Sequence, residues 1–248
     1  MIRNNFAIFF KSIKKYINNK CILKNVSLPI ISGKTTVLLG KSGTGKSTLI
    51  NICIGLLRPD SGIILTLGYK LELLSIYGLS SLRKRIGLLF QEVALFSDLS
   101  VFQNIAFPLL HLFNMNSNEI TKRVIELLKL VGLEEFSTYM PENLSGGQQK
   151  RVGLARALAL KPSIILFDEP TSGLDAITAL SVNKLIKKIQ LKLGTTFFII
   201  SHDVLNIINV ADYIAILDNG VIKEYGPVNQ IINSSDSLVK KFINHTKV

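Results

Sequence analysis

Thr36-Val37-Leu38-Leu39-Gly40-Lys41-Ser42-Gly43-Thr44-Gly45-Lys46-Ser47 joins a short apolar run to a glycine-rich loop of the form G-x-x-x-x-G-K-[ST]. The run Thr36–Leu39 has the length and composition of a buried strand. Beyond the loop, Leu49, Ile52, Cys53, Leu56 and Leu57 fall on one face at helical spacing, so the stretch predicts strand, loop, helix. Glycines let the chain wrap until backbone N–H groups converge on phosphate oxygens, and the helix N-terminus adds partial positive charge. Gly40, Lys41, Ser42, Gly43, Thr44, Gly45, Lys46, Ser47 and the following Thr48 are the candidate nucleotide-binding residues. Lys46 is expected to reach the β- and γ-phosphates and the Ser47 hydroxyl to ligate Mg²⁺. Lys46 is also expected to face solvent when no ligand is present. The loop implies nucleotide binding and leaves the reaction open, because GTPases, kinases and ATPases share it.

Outward from the loop, Ile86–Phe90, Ile164–Phe167, Thr196–Ile200 and Tyr213–Leu217 read as further buried strands. Near-continuous apolar strands belong in a parallel sheet covered on both faces, and helical patterns lie between them, so an α/β doubly wound fold is expected. From Glu119, Ile120, Val124, Leu127, Leu128 and Val131 share a helical face, and Gly132 supplies a stop. The segment between Ile86–Phe90 and Ile164–Phe167, about Gln91 to Lys161, is too long for a structureless loop and reads as an inserted helical subdomain, placed at about 92–161. The whole, residues 1–248, is read as one domain with a C-terminal tail from about 231 to 248.

Length and composition bound the possibilities. The chain has 248 residues, 48% hydrophobic and 19% charged, which suits one globular domain and excludes a disordered chain. No run of 18 apolar residues is present, so no bilayer-spanning helix is expected; the apolar stretch Ile105–Phe113 is short and holds Pro108 and His111. Near the N-terminus, Phe6–Phe10 follows Arg3 and precedes Lys11, Lys14 and Lys15; it is too short for a signal peptide and predicts an apolar edge strand. Cys21 and Cys53 have no metal or disulfide-framework spacing, which points to a reducing compartment. The formal net charge is +12, but the basic residues are scattered, and no nucleic-acid partner is expected from them.

Ile164-Ile165-Leu166-Phe167-Asp168-Glu169 is an apolar strand ending in two acids. Such a strand delivers them to the carboxyl edge of the sheet, where ligands bind in these folds. Asp168 suits a Mg²⁺-associated carboxylate. Glu169 suits a base that orients and deprotonates an attacking water.

Leu144-Ser145-Gly146-Gly147-Gln148, continued by Gln149-Lys150-Arg151, reads as a helix start with Ser145 as N-cap and two glycines exposing N–H groups. It resembles the signature motif of the ABC ATPases. The resemblance covers about residues 16 to 230 and implies a P-loop NTPase with a mainly parallel sheet, an N-terminal antiparallel β region and a helical insertion. It implies ATP and Mg²⁺ as ligands. It also implies a composite site in which Ser145, Gly146, Gly147 and Gln148 act on the nucleotide held by a second copy. Gln91 is similar to the residue that senses metal and water, His202 to the switch histidine at the γ-phosphate, and Asp175, in Ser172-Gly173-Leu174-Asp175, to the D-loop. Tyr16 stands about where the family places an aromatic against adenine.

Within the family, Ala94-Leu95-Phe96, Phe107-Pro108-Leu109 and Asp175-Ala176-Ile177-Thr178 resemble the ATPases of Mla-type lipid transporters, which work with mammalian-cell-entry domain proteins. Ala176 stands where that group has Pro, and Gln148 and Gln149 depart from its signature. The implied partners are an integral membrane permease, a second copy and a mammalian-cell-entry domain protein, with the chain peripheral on the cytoplasmic face of the inner membrane. Phe96, Phe102 and Phe107 are expected to belong to a groove for a permease helix. Alternatives are a transporter ATPase for another cargo, such as amino acids or lipoprotein release, or the soluble iron–sulfur assembly ATPase. The last resembles a Phe-Ser-Gly-Gly-Glu signature, which Leu144 and Gln148 contradict.

Overall fold

The computed structural model describes residues 5–112, 115–234, 236 and 240. Phe113 and most of the tail proposed from about 231 to 248 lie outside the described residues. In chain order the elements are β1 (Phe6–Ile17), β2 (Lys20–Ile31), β3 (Thr35–Leu39), α1 (Lys46–Cys53), β4 (Ser61–Thr66), β5 (Tyr69–Lys70), α2 (Ile76–Arg83) and β6 (Ile86–Leu89). They continue with α3 (Val101–Leu112), α4 (Ser117–Val131), α5 (Gly146–Leu158), β7 (Ile164–Asp168), α6 (Ala176–Leu193), β8 (Thr196–Ser201), α7 (Val204–Ile207), β9 (Tyr213–Asp218), β10 (Val221–Pro227) and α8 (Val228–Ile232).

The five strands expected from apolar runs all form. They stand in one sheet ordered β10-β9-β3-β8-β7-β6, parallel throughout except for β10 on β9. Alternate residues feed two cores, as the period of two demands. Ile165 and Phe167 of β7 face a core built with the helices α3 to α6, while Ile164 and Leu166 face one shared with α1 and the N-terminal strands. Burying both faces explains why these strands read as unbroken apolar runs.

A second sheet, ordered β2-β1-β4-β5, is antiparallel. It corrects the reading of Phe6–Phe10 as an edge strand. Those residues open a 12-residue strand that pairs with β2 on one side and β4 on the other. Ile8, Phe10 and Ile13 are fully buried, whereas Phe6 and Ile17 are exposed, so the buried apolar face extends to Ile13, past the exposed Lys11 and Ser12.

The stretch expected as an insertion, about 92–161, holds the helices α3, α4 and α5. In α4 the five expected residues are buried and Gly132 is the C-cap with φ +68°, a left-handed conformation that glycine adopts at least cost. The helix starts earlier than its apolar pattern, because Asn116 and Glu119 close a reciprocal capping box. For α1 the expectation fails at the C-terminal end: the helix stops at Cys53, and Leu56 lies outside it and exposed. Gly55, with φ +69°, turns the chain away before Leu56 can complete the face.

Candidate functional site

Four strand ends supply the site. At the carboxyl edge of the sheet β3, β8, β7 and β6 lie side by side, so the 40–47 loop, His202, Asp168 with Glu169, and Gln91 emerge along one line. Register fixes their depth: Leu39 pairs with Ser201 and Asp168 with Ile200.

The loop is built for close approach. A Cβ at Gly40 would lie 2.6 Å from the Leu217 carbonyl oxygen, and one at Gly45, where φ is +100°, 2.8 Å from Ile22. Lys46 does not face solvent as expected. It is 6% exposed, and its Nζ donates to the carbonyls of Gly40 at 2.8 Å and Lys41 at 3.1 Å. Glu169 Oε1 lies 3.8 Å away. The reason is geometric: the wrapped loop lays two carbonyls over the ammonium, which takes them as partners. Burial pushes its pKa below the ordinary lysine range, against the pull of Glu169 and Asp168.

The Ser47 hydroxyl donates to Asp168 Oδ1 at 3.3 Å. Burial raises the Asp168 carboxyl above its ordinary range, the Ser47 bond opposing it and the Glu169 charge adding to it. A hydroxyl and a carboxylate side by side are the hard oxygen donors that Mg²⁺ prefers, so the residues present fit a phosphate-bound Mg²⁺. Glu169 has φ +50°, a left-handed conformation that costs a non-glycine residue about 1–3 kcal/mol and persists only where surroundings enforce it. They do: its N–H donates to the Ile200 carbonyl at 3.0 Å, and Oε2 accepts the His202 N–H at 3.2 Å and lies 2.9 Å from His202 Nδ1.

Lys46, Ser47, Asp168, Glu169 and His202 thus form one connected set. Gln91 joins its edge, with Nε2 donating to Ser172 Oγ at 3.4 Å. Asp175 caps α6, accepting the N–H groups of Ile177 and Thr178 at 3.0 Å each. Ser145 caps α5 in a reciprocal box with Gln148. Among the described residues no hydrogen bond or ion pair joins this turn to the 40–47 loop. Gly147 packs instead toward α6, where a Cβ on it would fall 2.5 Å from Thr178 Cγ2, so part of the need for Gly147 is internal packing. Tyr16 is 43% exposed. It pairs with Cys21, next to the Ile22 that packs under Gly45, and Asp60 anchors its N–H at 2.6 Å.

A sequence profile described as ABC transporter matches residues 23–172, more than half of the chain. The chain belongs to the ABC transporter family. It is 42% identical over 229 residues to the methionine import ATP-binding protein MetN of Brucella abortus, a match covering 92% of this chain and 62% of that one. The chain therefore spans less than two thirds of that Brucella protein's length. It is 39% identical over 226 residues to the intermembrane phospholipid transport system ATP-binding protein MlaF of Escherichia coli, covering 91% and 84%. In structure it is similar to CbiO1 of Clostridium perfringens, part of an ABC transporter complex (TM-score 0.87, 31% identity, 96% and 94% covered). It is also similar to a dimeric ATP-binding cassette with ADP and Pi in a post-hydrolysis state (TM-score 0.80, 34% identity, 89% and 98% covered).

In this ABC cassette a cleft of 360 Å³ is lined by Arg83, Lys84, Phe96, Phe107, Leu112 and Arg156 among others. The Phe96 and Phe107 rings lie 4.5 Å apart. Phe102 is not in the cleft; it packs partly buried against the helical core. Three residues that sequence reasoning passed over organise this region. Asn104, fully buried, accepts the Phe96 N–H and donates to the carbonyls of Phe96, Leu99 and Ser100. Lys150 and Arg156 hold the segment after β6 from α5. A lysine inside a signature-like run and an arginine six residues on look like ordinary solvated charges until α5 is seen to carry them inward. Among the described residues no helix is long and apolar enough to cross a membrane.

Proposed function

We propose that the chain is the ATP-hydrolysing subunit of an ABC transporter, one cassette that works as a pair and binds peripherally to an integral membrane permease. The observation that carries this reading is the connected set Lys46–Glu169–His202 beside Ser47–Asp168 at the sheet edge, in a chain of this family. The loop 40–47 and Lys46 hold the β- and γ-phosphates, which requires Lys46 to exchange two carbonyls for phosphate oxygens. Ser47, Asp168 and Gln91 are the residues for Mg²⁺, which when bound offsets phosphate charge. Glu169, held by the His202 N–H, accepts a proton from the attacking water, and His202 lies beside it to contact the γ-phosphate. Tyr16 supplies the face for adenine. The turn Ser145–Gln148 serves the nucleotide of the second copy, and Asp175 lies at that interface. Both copies are needed, because in one chain that turn makes no bond to the loop.

Lipid is the proposed cargo, supported by the match to the intermembrane phospholipid ATPase, which spans 84% of that protein. On this reading the permease works with a mammalian-cell-entry domain protein, and the chain lies on the cytoplasmic face of the inner membrane. Amino-acid import is the second reading, favoured by the higher identity to the methionine-import proteins. Purification from detergent-solubilised membranes separates them. Co-purification of a permease together with a mammalian-cell-entry domain protein supports lipid. A permease that instead yields methionine uptake in vesicles supports import and contradicts the lipid reading.

A further inference from the structure

The side of α5 that faces β6 carries three positions at spacing i, i+3, i+6, and all three grip the loop that follows Leu89. Lys150 Nζ donates to the Gln91 carbonyl. A Cβ at Gly153 would lie 2.4 Å from Val93 Cγ1, so loop and helix are in direct contact there. Arg156 forks onto two consecutive carbonyls, Val93 at 2.6 Å and Ala94 at 2.8 Å. The loop needs holding: Val93 and Ala94 have φ +25° and +50°, conformations that β-branched and other non-glycine residues avoid unless enforced.

Lys150 is the member of the three nearest the chemistry. It is 4% exposed, and burial pushes its ammonium below the ordinary lysine range while the charges of Asp168 and then Glu169 oppose that. A buried lysine is costly without a partner. Gln91 O supplies one, and Gln91 carries the side chain that reaches Ser172.

We infer that Lys150 is a positioning residue which, with Gly153 and Arg156, clamps residues 91–94 to α5 and so sets where the Gln91 side chain points. The inference rests on the proposed reading of Gln91 as a group that meets Mg²⁺ and water. It also gives α5 two duties. Its first turn offers Ser145 to the second copy, and five positions later, about 7.5 Å along the axis, Lys150 holds a residue of its own chain's site. A movement of α5 therefore moves Gln91.

The test uses the full chain with MgATP and reads hydrolysis, the Mg²⁺ midpoint, melting temperature and hydrogen exchange at residues 92–95. Lys150→Met removes charge and donor but keeps the length. Lys150→Gln keeps a donor. The Met variant is expected to lose about tenfold or more in kcat and to need about fivefold more Mg²⁺, the scale of losing a group that orients a metal ligand, with KM for ATP within about threefold. Its amides at 92–95 are expected to exchange faster, and Lys150→Gln to recover most of each loss. A merely structural lysine would lower the melting temperature without moving the Mg²⁺ midpoint. If the Met variant does not fold, Lys150→Ala, which admits water to the carbonyl, carries the same measurements. Wild-type kcat and Mg²⁺ midpoint in the Met or Ala variant overturn the inference, as does equal loss in the Gln and Met variants. Absence of hydrolysis by the wild type counts against the proposed function instead, and unchanged exchange at 92–95 in the Met variant still overturns the clamp.

Discussion

Lys46 shows how much one residue carries. Its ammonium is already satisfied by two loop carbonyls and Glu169, so on the proposed reading nucleotide binding is an exchange of partners. Lys46→Ala is expected to cut ATP hydrolysis about a hundredfold or more, the scale of losing one electrostatic stabiliser of developing charge; an unchanged rate in a phosphate-release assay contradicts the assignment. The stability sign follows from the lowered pKa. Between that depressed value and the ordinary 10.5 the unfolded chain binds more protons, so this group makes stability rise with pH across that alkaline window. In Lys46→Met that contribution vanishes, and urea unfolding followed from pH 8 to 10.5 should show a smaller rise than wild type. Asp168 has the opposite sense. Its raised pKa means stability is lost as pH rises through it, leaving a cost at neutral pH. Asp168→Asn is therefore expected to melt at a higher temperature without nucleotide, while losing activity. A lower melting temperature at pH 7 would contradict that. Which residues would converge was legible from the motifs. Their burial was not, because it depends on carbonyls the folded loop brings over Lys46 and on the Glu169 backbone conformation, neither of which has a sequence pattern.

Among the elements, the parallel strands were legible because both faces of the sheet are buried. The N-terminal strand was misread as an edge because pairing with β4 joins residues some 50 positions apart, and no local pattern reports such a partner. The end of α1 and the capping box of α4 were missed for related reasons, since Gly55 and Asn116 act outside the apolar period. The tie between α5 and β6 is also invisible in sequence, yet it is tight: a Cβ at Gly87 would lie 2.4 Å from the Ala157 carbonyl oxygen. Backbone cannot give way as a side-chain tip can, so Gly87→Ala is expected to cost about 1–3 kcal/mol in urea unfolding. A variant as stable as wild type would mean that α5 shifts freely. The cleft framed by Phe96 and Phe107 is the proposed seat of a permease helix. Cysteine at Phe96, which is 40% exposed, should cross-link to a co-expressed permease; cysteine at the partly buried Phe102 should not.

At the scale of the whole molecule, the proposed site is shared between two copies of the chain. The carboxyl edge of the sheet assembles phosphate loop, carboxylates and His202 within one chain, while the Ser145 turn caps its own helix and, on the proposed reading, offers its N–H end to the nucleotide of the second copy. Glu169→Gln keeps shape and a hydrogen-bonding oxygen but removes the base, so hydrolysis should fall about a hundredfold or more while MgATP stays bound. Trapped nucleotide then joins two copies, and linkage requires that it favour the closed pair. Light scattering after size exclusion of Glu169→Gln, at several protein concentrations, reads this most directly. With MgATP the mass should be twice the 27.5 kDa of one chain, returning to one chain with ADP or when Ser145→Arg is added. A mass of one chain under every condition, together with wild-type hydrolysis by Ser145→Arg in the assembled transporter, would contradict the shared site.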